Sequence, residues 1–263
     1  MTKRQSLFAL AFAAIAAVAS PVVLAGEGEG LLEAGTHMTD QASLQHGAKL
    51  FMNYCSGCHS IKYMRYGRMA DDLGLTEKEV TENLNFTGGK HLDHINVAMN
   101  PVDAANWFGK TPPDLSLTAR SRGPDWVYTY LKSFYMDESR PVGWNNTVLP
   151  GASMPNVLWQ LQGVQHPVTE PKQKGANGKD NGCAHGEYNG QCIKELVVAD
   201  GQKGQMSADE YDQAARDITA FLQYVAEPAA LQRESYGVWV LLFLVVFSLL
   251  AYMLKHEYWR DVH

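Results

Sequence analysis

Cys55-Ser56-Gly57-Cys58-His59 is the only C-x-x-C-H in this chain of 263 residues, and no other stretch of it carries as much chemistry. Two thiols at this spacing can each form a thioether with a porphyrin vinyl group, and the imidazole that follows is placed to ligate iron. A structural zinc site would need two further Cys or His at matching spacing, and a thioredoxin-type redox pair does not include the histidine. The other cysteines, Cys183 and Cys192, stand far downstream. One covalently bound haem c is therefore expected.

The two ends set the compartment. Residues 1–25 combine Lys3 and Arg4 with an apolar run from Leu7 to Val18 and finish on Ala25 before Gly26, the form of a secretory signal peptide. Its removal takes two of the 22 basic residues and none of the 28 acidic ones, leaving a formal charge of −8. An acidic chain of this kind argues against nucleic acid as a partner. Export to an oxidising compartment also permits a disulfide between Cys183 and Cys192.

Residues 236–254, mostly Leu, Val and Phe, contain no charge. As a helix they would extend about 28 Å, close to the hydrocarbon thickness of a bilayer. Trp239, Tyr252, Tyr258 and Trp259 stand at the two rims, and Lys255, His256 and Arg260 lie in the short tail 255–263. That asymmetry predicts a transmembrane helix with a cytoplasmic tail and with residues 26–235 on the periplasmic side of a bacterial inner membrane, in contact with lipid.

Residues 26–235 suit one domain. Four helices are legible. One runs from Ser43 to Asn53 into the haem motif, with Leu44, Ala48, Leu50 and Phe51 inward. The capping box Thr76-Glu77-Lys78-Glu79 opens a second, to about Leu84. Pro124 starts a third, with Val127, Tyr130, Leu131 and Phe134 recurring at helical intervals. Ser207-Ala208-Asp209-Glu210 opens a fourth, which carries Ala214, Ile218, Phe221, Leu222 and Val225 and stops before Pro228. Residues 162–205 are rich in Gly, Lys, Asn and Gln and read as an inserted surface loop. Val157–Leu161 and Ile193–Val198 have strand character and are expected to pair as a hairpin carrying it.

With His59 on one side of the iron, function turns on the other side: a strong second ligand makes an electron carrier, and an open position lets small molecules bind. Met154 lies in Pro150-Gly151-Ala152-Ser153-Met154-Pro155, a turn-forming setting that can hold an extended thioether towards a fixed point; the other methionines read as core filler. His91 and His94 are the competing bis-imidazole candidates. Arg120 and Arg122, after Thr111-Pro112-Pro113-Asp114-Leu115-Ser116, are candidates to meet the haem propionates. Asp71, Asp72, Glu77, Glu79 and Glu82 form an acidic cluster suited to steering a basic partner or, equally, an ordinary solvated face.

These residues together resemble the cytochrome c1 family, the haem subunits of ubiquinol:cytochrome c oxidoreductase. The resemblance rests on Cys55–Ser60, on Pro112–Ser116 with Arg120 and Arg122, on Met154-Pro155, on Phe221–Pro228 and on the single C-terminal span. Two departures stand out: Pro155 follows the methionine directly where the family often has Ala-Pro-Pro, and not all members share the insertion after Gln162. The resemblance implies an all-α, class I cytochrome c-like haem domain with inserted loops and a small β-hairpin, plus one transmembrane helix. It implies His59 and Met154 as axial ligands, Cys55 and Cys58 as thioether anchors, and Asn106, Pro113, Arg120 and Arg122 around the haem. It further implies a cytochrome b subunit, a Rieske iron–sulfur protein and a soluble or membrane-bound cytochrome c as partners in a dimeric complex, with no independent catalytic site on this chain. The alternatives are a haem enzyme or gas-binding sensor with an open sixth position, and a stand-alone anchored cytochrome.

Overall fold

The computed structural model describes residues 30–172 and 183–261. The signal-peptide segment 1–25 and part of the insertion lie outside the described residues.

Helix α1 (Gln41–Tyr54) starts where Asp40 accepts a hydrogen bond from the Ser43 amide, and it delivers Cys55 at its end. Its expected inward residues Leu44, Ala48, Leu50 and Phe51 are all buried. After the motif, strand β1 (Ile61–Arg65) leads into α2 (Tyr66–Leu73) and α3 (Glu77–Asn83), the latter opened by the Thr76/Glu79 capping box. Strand β2 (His94–Ile95) returns antiparallel to β1, pairing Ile61 with Ile95. Then come α4 (Pro101–Phe108), α5 (Thr118–Arg122) and α6 (Pro124–Lys132), with Pro124 in the first turn.

Strands β3 (Phe134–Met136) and β4 (Trp144–Asn146) form an antiparallel hairpin ahead of the Met154 loop. The short α7 (Trp159–Gln162) precedes β5 (Gly163–Glu170), β6 (Glu187–Tyr188) and β7 (Gln191–Lys203), whose sheet order is β5-β7-β6. Helix α8 (Ala208–Ala226) begins at the Ser207/Glu210 capping box and packs along α1. Phe51 of α1 meets Phe221 of α8 with ring centroids 5.6 Å apart. Each such large side chain, fully buried, contributes about 1.5–3 kcal/mol through the water it leaves.

Three expectations are corrected. The chain is not all-α: seven strands accompany nine helices among the described residues, although the core is built chiefly from α1, α2, α6 and α8. The insertion is mostly sheet where a loop was expected; β5 and β7 pair from Gly163 to Lys203, and Cys183 is joined to Cys192 by a disulfide beside β6. Val157–Leu161 is not a strand. Leu158 and Leu161 are buried three positions apart on a turn of helix, and the strand starts at Gly163.

Helix α9 (Ala230–Tyr258) contains the apolar segment Tyr236–Tyr258, with mean hydropathy 2.5 and none of it buried against the rest of the chain. Its 23 residues reach about 35 Å as a helix, enough to cross a bilayer.

Candidate haem-binding cleft

The end of α1, the Pro112-Pro113 segment and the Met154 loop form the walls of one cleft. Cys55, Cys58, His59, Pro113 and Met154 all line it, with Tyr54, Phe108, Lys110, Pro112 and Val157 among the other walls. The lining is overwhelmingly apolar, as a porphyrin face requires.

His59 is fixed from behind. Its Nδ1 donates to the Pro113 carbonyl oxygen at 2.7 Å, which leaves Nε2 as the nitrogen available to a metal. The carbonyl is in turn held because residues 113–116 are laced to the chain just after the motif. The Leu115 amide donates to the Ser60 carbonyl at 2.8 Å, and Asp114 accepts from Ser60 Oγ at 2.8 Å and from the Lys62 amide at 2.9 Å. Burial alone would raise the Asp114 carboxyl, but the bonds from Lys62, Ser116 and Ser60 hold it below the ordinary carboxylate range. Burial lowers the His59 pKa against the opposing pull of the Pro113 bond and the Asp114 charge, favouring the neutral imidazole that binds metals.

The thiols behave differently from a redox pair. Burial, assisted by the neighbouring Cys58, pushes the Cys55 thiol up to about 12, and burial also raises Cys58. Thiol–disulfide chemistry calls for depressed values. Among the described residues no group of three or more His, Cys, Asp or Glu is gathered as a metal site.

The Met154 loop, which lines the same cleft as His59, owes its path to residues that sequence reasoning missed. Asn145 Oδ1 accepts from the Gly151 amide at 2.8 Å, and Gly151 adopts a φ of +79° that favours glycine. Asn146 Oδ1 accepts from the Val148 and Leu149 amides at 2.9 and 3.1 Å, while its Nδ2 donates to the Tyr130 carbonyl at 2.9 Å. The Asn-Asn pair shortly before the methionine was the available signal.

Not every expected residue reaches the cleft. His91 precedes β2 and bonds α2 through its carbonyl, His94 is the first residue of β2 and pairs with β1, and neither lines the cleft. Asn106 faces outward on α4, whose one buried residue is Ala104. Arg120 is exposed, 4.0 Å from Glu227, and Arg122 is exposed with its guanidinium 5.0 Å from the Trp126 ring centre. Their helix, α5, packs on α6 and α8, and neither side chain is part of the cleft lining.

Comparison with known proteins accords with this geometry. A family model described as "Cytochrome C1 family" matches residues 32–169 and 193–262. A cytochrome c1 of Allochromatium vinosum is 50% identical, covering 92% of this chain and 93% of its own length. A protein named ammonia monooxygenase gamma subunit, from Nitrosomonas europaea, is 40% identical over 96% of this chain and 98% of its own length. A cytochrome b/c1 of Bradyrhizobium diazoefficiens is 24% identical over 85% of this chain and 34% of that longer protein. With two thiols and a braced imidazole on one apolar cleft, an apolar helix that can anchor it in a membrane, and these relatives, the chain belongs to the cytochrome c1 family and carries one covalent haem c.

Proposed function

We propose that this chain is the membrane-anchored electron-transfer subunit of a ubiquinol:cytochrome c oxidoreductase, taking electrons from a Rieske iron–sulfur protein and passing them to a cytochrome c. The observation that carries the proposal is the presence of His59 and Met154 on the walls of one apolar cleft beside Cys55 and Cys58. Cys55 and Cys58 would hold the haem by thioethers, with His59 and Met154 as axial ligands and Pro113 as the brace of the imidazole. The bound haem supplies one-electron storage, and the polypeptide sets its potential and its access. If His59 and Met154 both hold the iron, small molecules would be kept from it, which favours a carrier over a gas sensor or an oxygenase.

Residues 26–235 would form the haem domain on the periplasmic side of the inner membrane, with 236–254 crossing the bilayer and 255–263 in the cytoplasm. The fused b/c1 relative supports a cytochrome b subunit as the immediate neighbour, and a two-fold complex is the usual closed arrangement for such assemblies. The chain would have no catalytic site of its own.

Purification in mild detergent combined with a redox titration tests this. Cytochrome b and an iron–sulfur protein should accompany the chain, and ubiquinol should reduce its haem. Monooxygenase subunits in their place would bring the chain to the assembly named for the Nitrosomonas relative, and isolation alone would make it a stand-alone cytochrome.

A further inference from the structure

Met154 is held by more than its loop. The Tyr130 hydroxyl of α6 donates to Met154 Sδ at 3.5 Å. The phenol has little freedom to turn elsewhere: its ring stacks on Trp126 at 5.0 Å with 9° between planes, and it meets Phe134 edge-on at 5.0 Å. Arg122 covers Trp126, so a guanidinium, an indole and a phenol follow one another towards the sulfur. The Tyr130 carbonyl and the amides of Val148 and Leu149 all bond Asn146, a side chain with 0% exposure. The backbone of Tyr130 and the start of the loop that leads to Met154 are thus tied to the same buried side chain.

From this arrangement we infer that Tyr130 is a positioning residue that orients the Met154 thioether and tunes its donor strength through the hydroxyl-to-sulfur hydrogen bond. A thioether sulfur has two lone pairs. A hydrogen bond to one of them fixes which way the other points and draws electron density from the sulfur. A sulfur so depleted donates less well, and the loss is felt most by the electron-poor ferric state; the ferrous state is favoured and the reduction potential rises. Phenylalanine would fill the same volume and keep both ring contacts. A phenol here instead brings a half-buried hydroxyl that is costly unless bonded, and the sulfur is the partner it meets.

The inference rests on Met154 as the sixth ligand, and the experiment separates the two. In the membrane-bound holoprotein, Tyr130→Phe is expected to keep the covalent pigment, to shift the midpoint potential downward and to move the sulfur-to-iron charge-transfer absorption of the oxidised form. Incorporating 3-fluorotyrosine at position 130, a stronger donor of nearly the same shape, is expected to shift the potential upward. A purely structural role for the ring would leave both quantities unmoved in both variants, and that result overturns the inference. Met154→Leu serves as the control. If it abolishes the charge-transfer band while the Tyr130 variants change nothing, Tyr130 alone has been misjudged; if it leaves the band in place, Met154 is not the ligand and both ideas fall.

Discussion

Gly47 of α1 and Asp217 of α8 touch backbone to backbone: a Cβ at Gly47 would lie 2.0 Å from the Asp217 carbonyl oxygen and 2.8 Å from Phe221 Cβ. The contact is framed by polar bonds. The Asp217 carboxylate accepts from Ser43 Oγ at 2.6 Å and from Gln213 Nε2 at 2.8 Å, and it faces His46 Nδ1 at 2.6 Å. On an exposed helix, Gly→Ala gains about 1 kcal/mol of helix propensity. Here backbone atoms occupy the space, and neither helix can withdraw without opening the core that presents Cys55. Gly47→Ala is expected to destabilise the protein by about 2 kcal/mol, the middle of the overpacking range, in equilibrium denaturant unfolding. A stabilised variant would mean that the helices separate easily.

Met154→Leu removes the sulfur and keeps the bulk. The covalent pigment should remain, since Cys55 and Cys58 are untouched, while the potential falls substantially and carbon monoxide gains access to the reduced form. An unchanged potential would transfer the ligand role to another side chain.

Asn146→Ala takes from the Val148 and Leu149 amides and the Tyr130 carbonyl the fully buried side chain that bonds all three, at the edge of a loop that water reaches at Leu149. An unmet buried group costs about 1–3 kcal/mol, and water can replace the lost acceptor for the loop amides, so a loss of about 2 kcal/mol is expected by denaturant unfolding. Asn146→Asp keeps the acceptor for both amides and should fall between the two. Equal losses in both variants would contradict the assigned bonds.

The acid limb of stability has a named contributor. Burial alone would raise the Asp212 carboxyl, but bonds from Lys132, Tyr128 and Arg216 hold it down to about 2. Because the folded value lies below that of the unfolded chain, near 3.9, the stabilisation is present in full above that ordinary value and is lost as pH falls through about 2. Unfolding free energy measured between pH 5 and 2 should fall less steeply in Asp212→Asn than in the parent, as estimated from the single-group linkage. Parallel slopes would exclude this carboxyl as a source of acid sensitivity.

The disulfide sits in the β5-β7-β6 sheet, away from the cleft lining. Replacing Cys183 and Cys192 by serine should lower stability by about 2–3 kcal/mol, the chain-entropy value for so short a loop, and leave the haem potential where it was. A shifted potential would show that the insertion communicates with the iron.

The parts of this fold that local chemistry decides were readable in advance. Thr76 with Glu79, Ser207 with Glu210, and Pro124 each act within one turn of their own helix, and each helix begins where those residues place it. The haem motif is local in the same sense. Strand β5 was hidden because Gly-Val-Gln-His-Pro-Val-Thr-Glu has neither an apolar run nor a clean alternation, and its partner β7 lies a long way along the chain. Arg122, which the family pattern makes a candidate for the propionates, lies over the Trp126 ring, a contact four residues along that no motif announces. Tyr130 looked like one more member of an apolar stripe. Only when the β3–β4 hairpin docks does its hydroxyl meet a sulfur 24 residues away.

Helix α8, deep in the core, ends at Ala226, and α9 begins at Ala230, so only residues 227–229 separate them. Glu227, at this joint, is paired with Arg233 of α9 and lies 4.0 Å from Arg120 of α5. Three residues reach at most about 11 Å, and the helical stretch from Ala230 to Tyr236 adds about 9 Å before the apolar segment starts. On so short a leash the pigment stays moored at one height above the lipid. Traffic between donor and acceptor then has to be accomplished by whichever molecules visit it, and lengthening the joint would loosen the mooring without touching the iron.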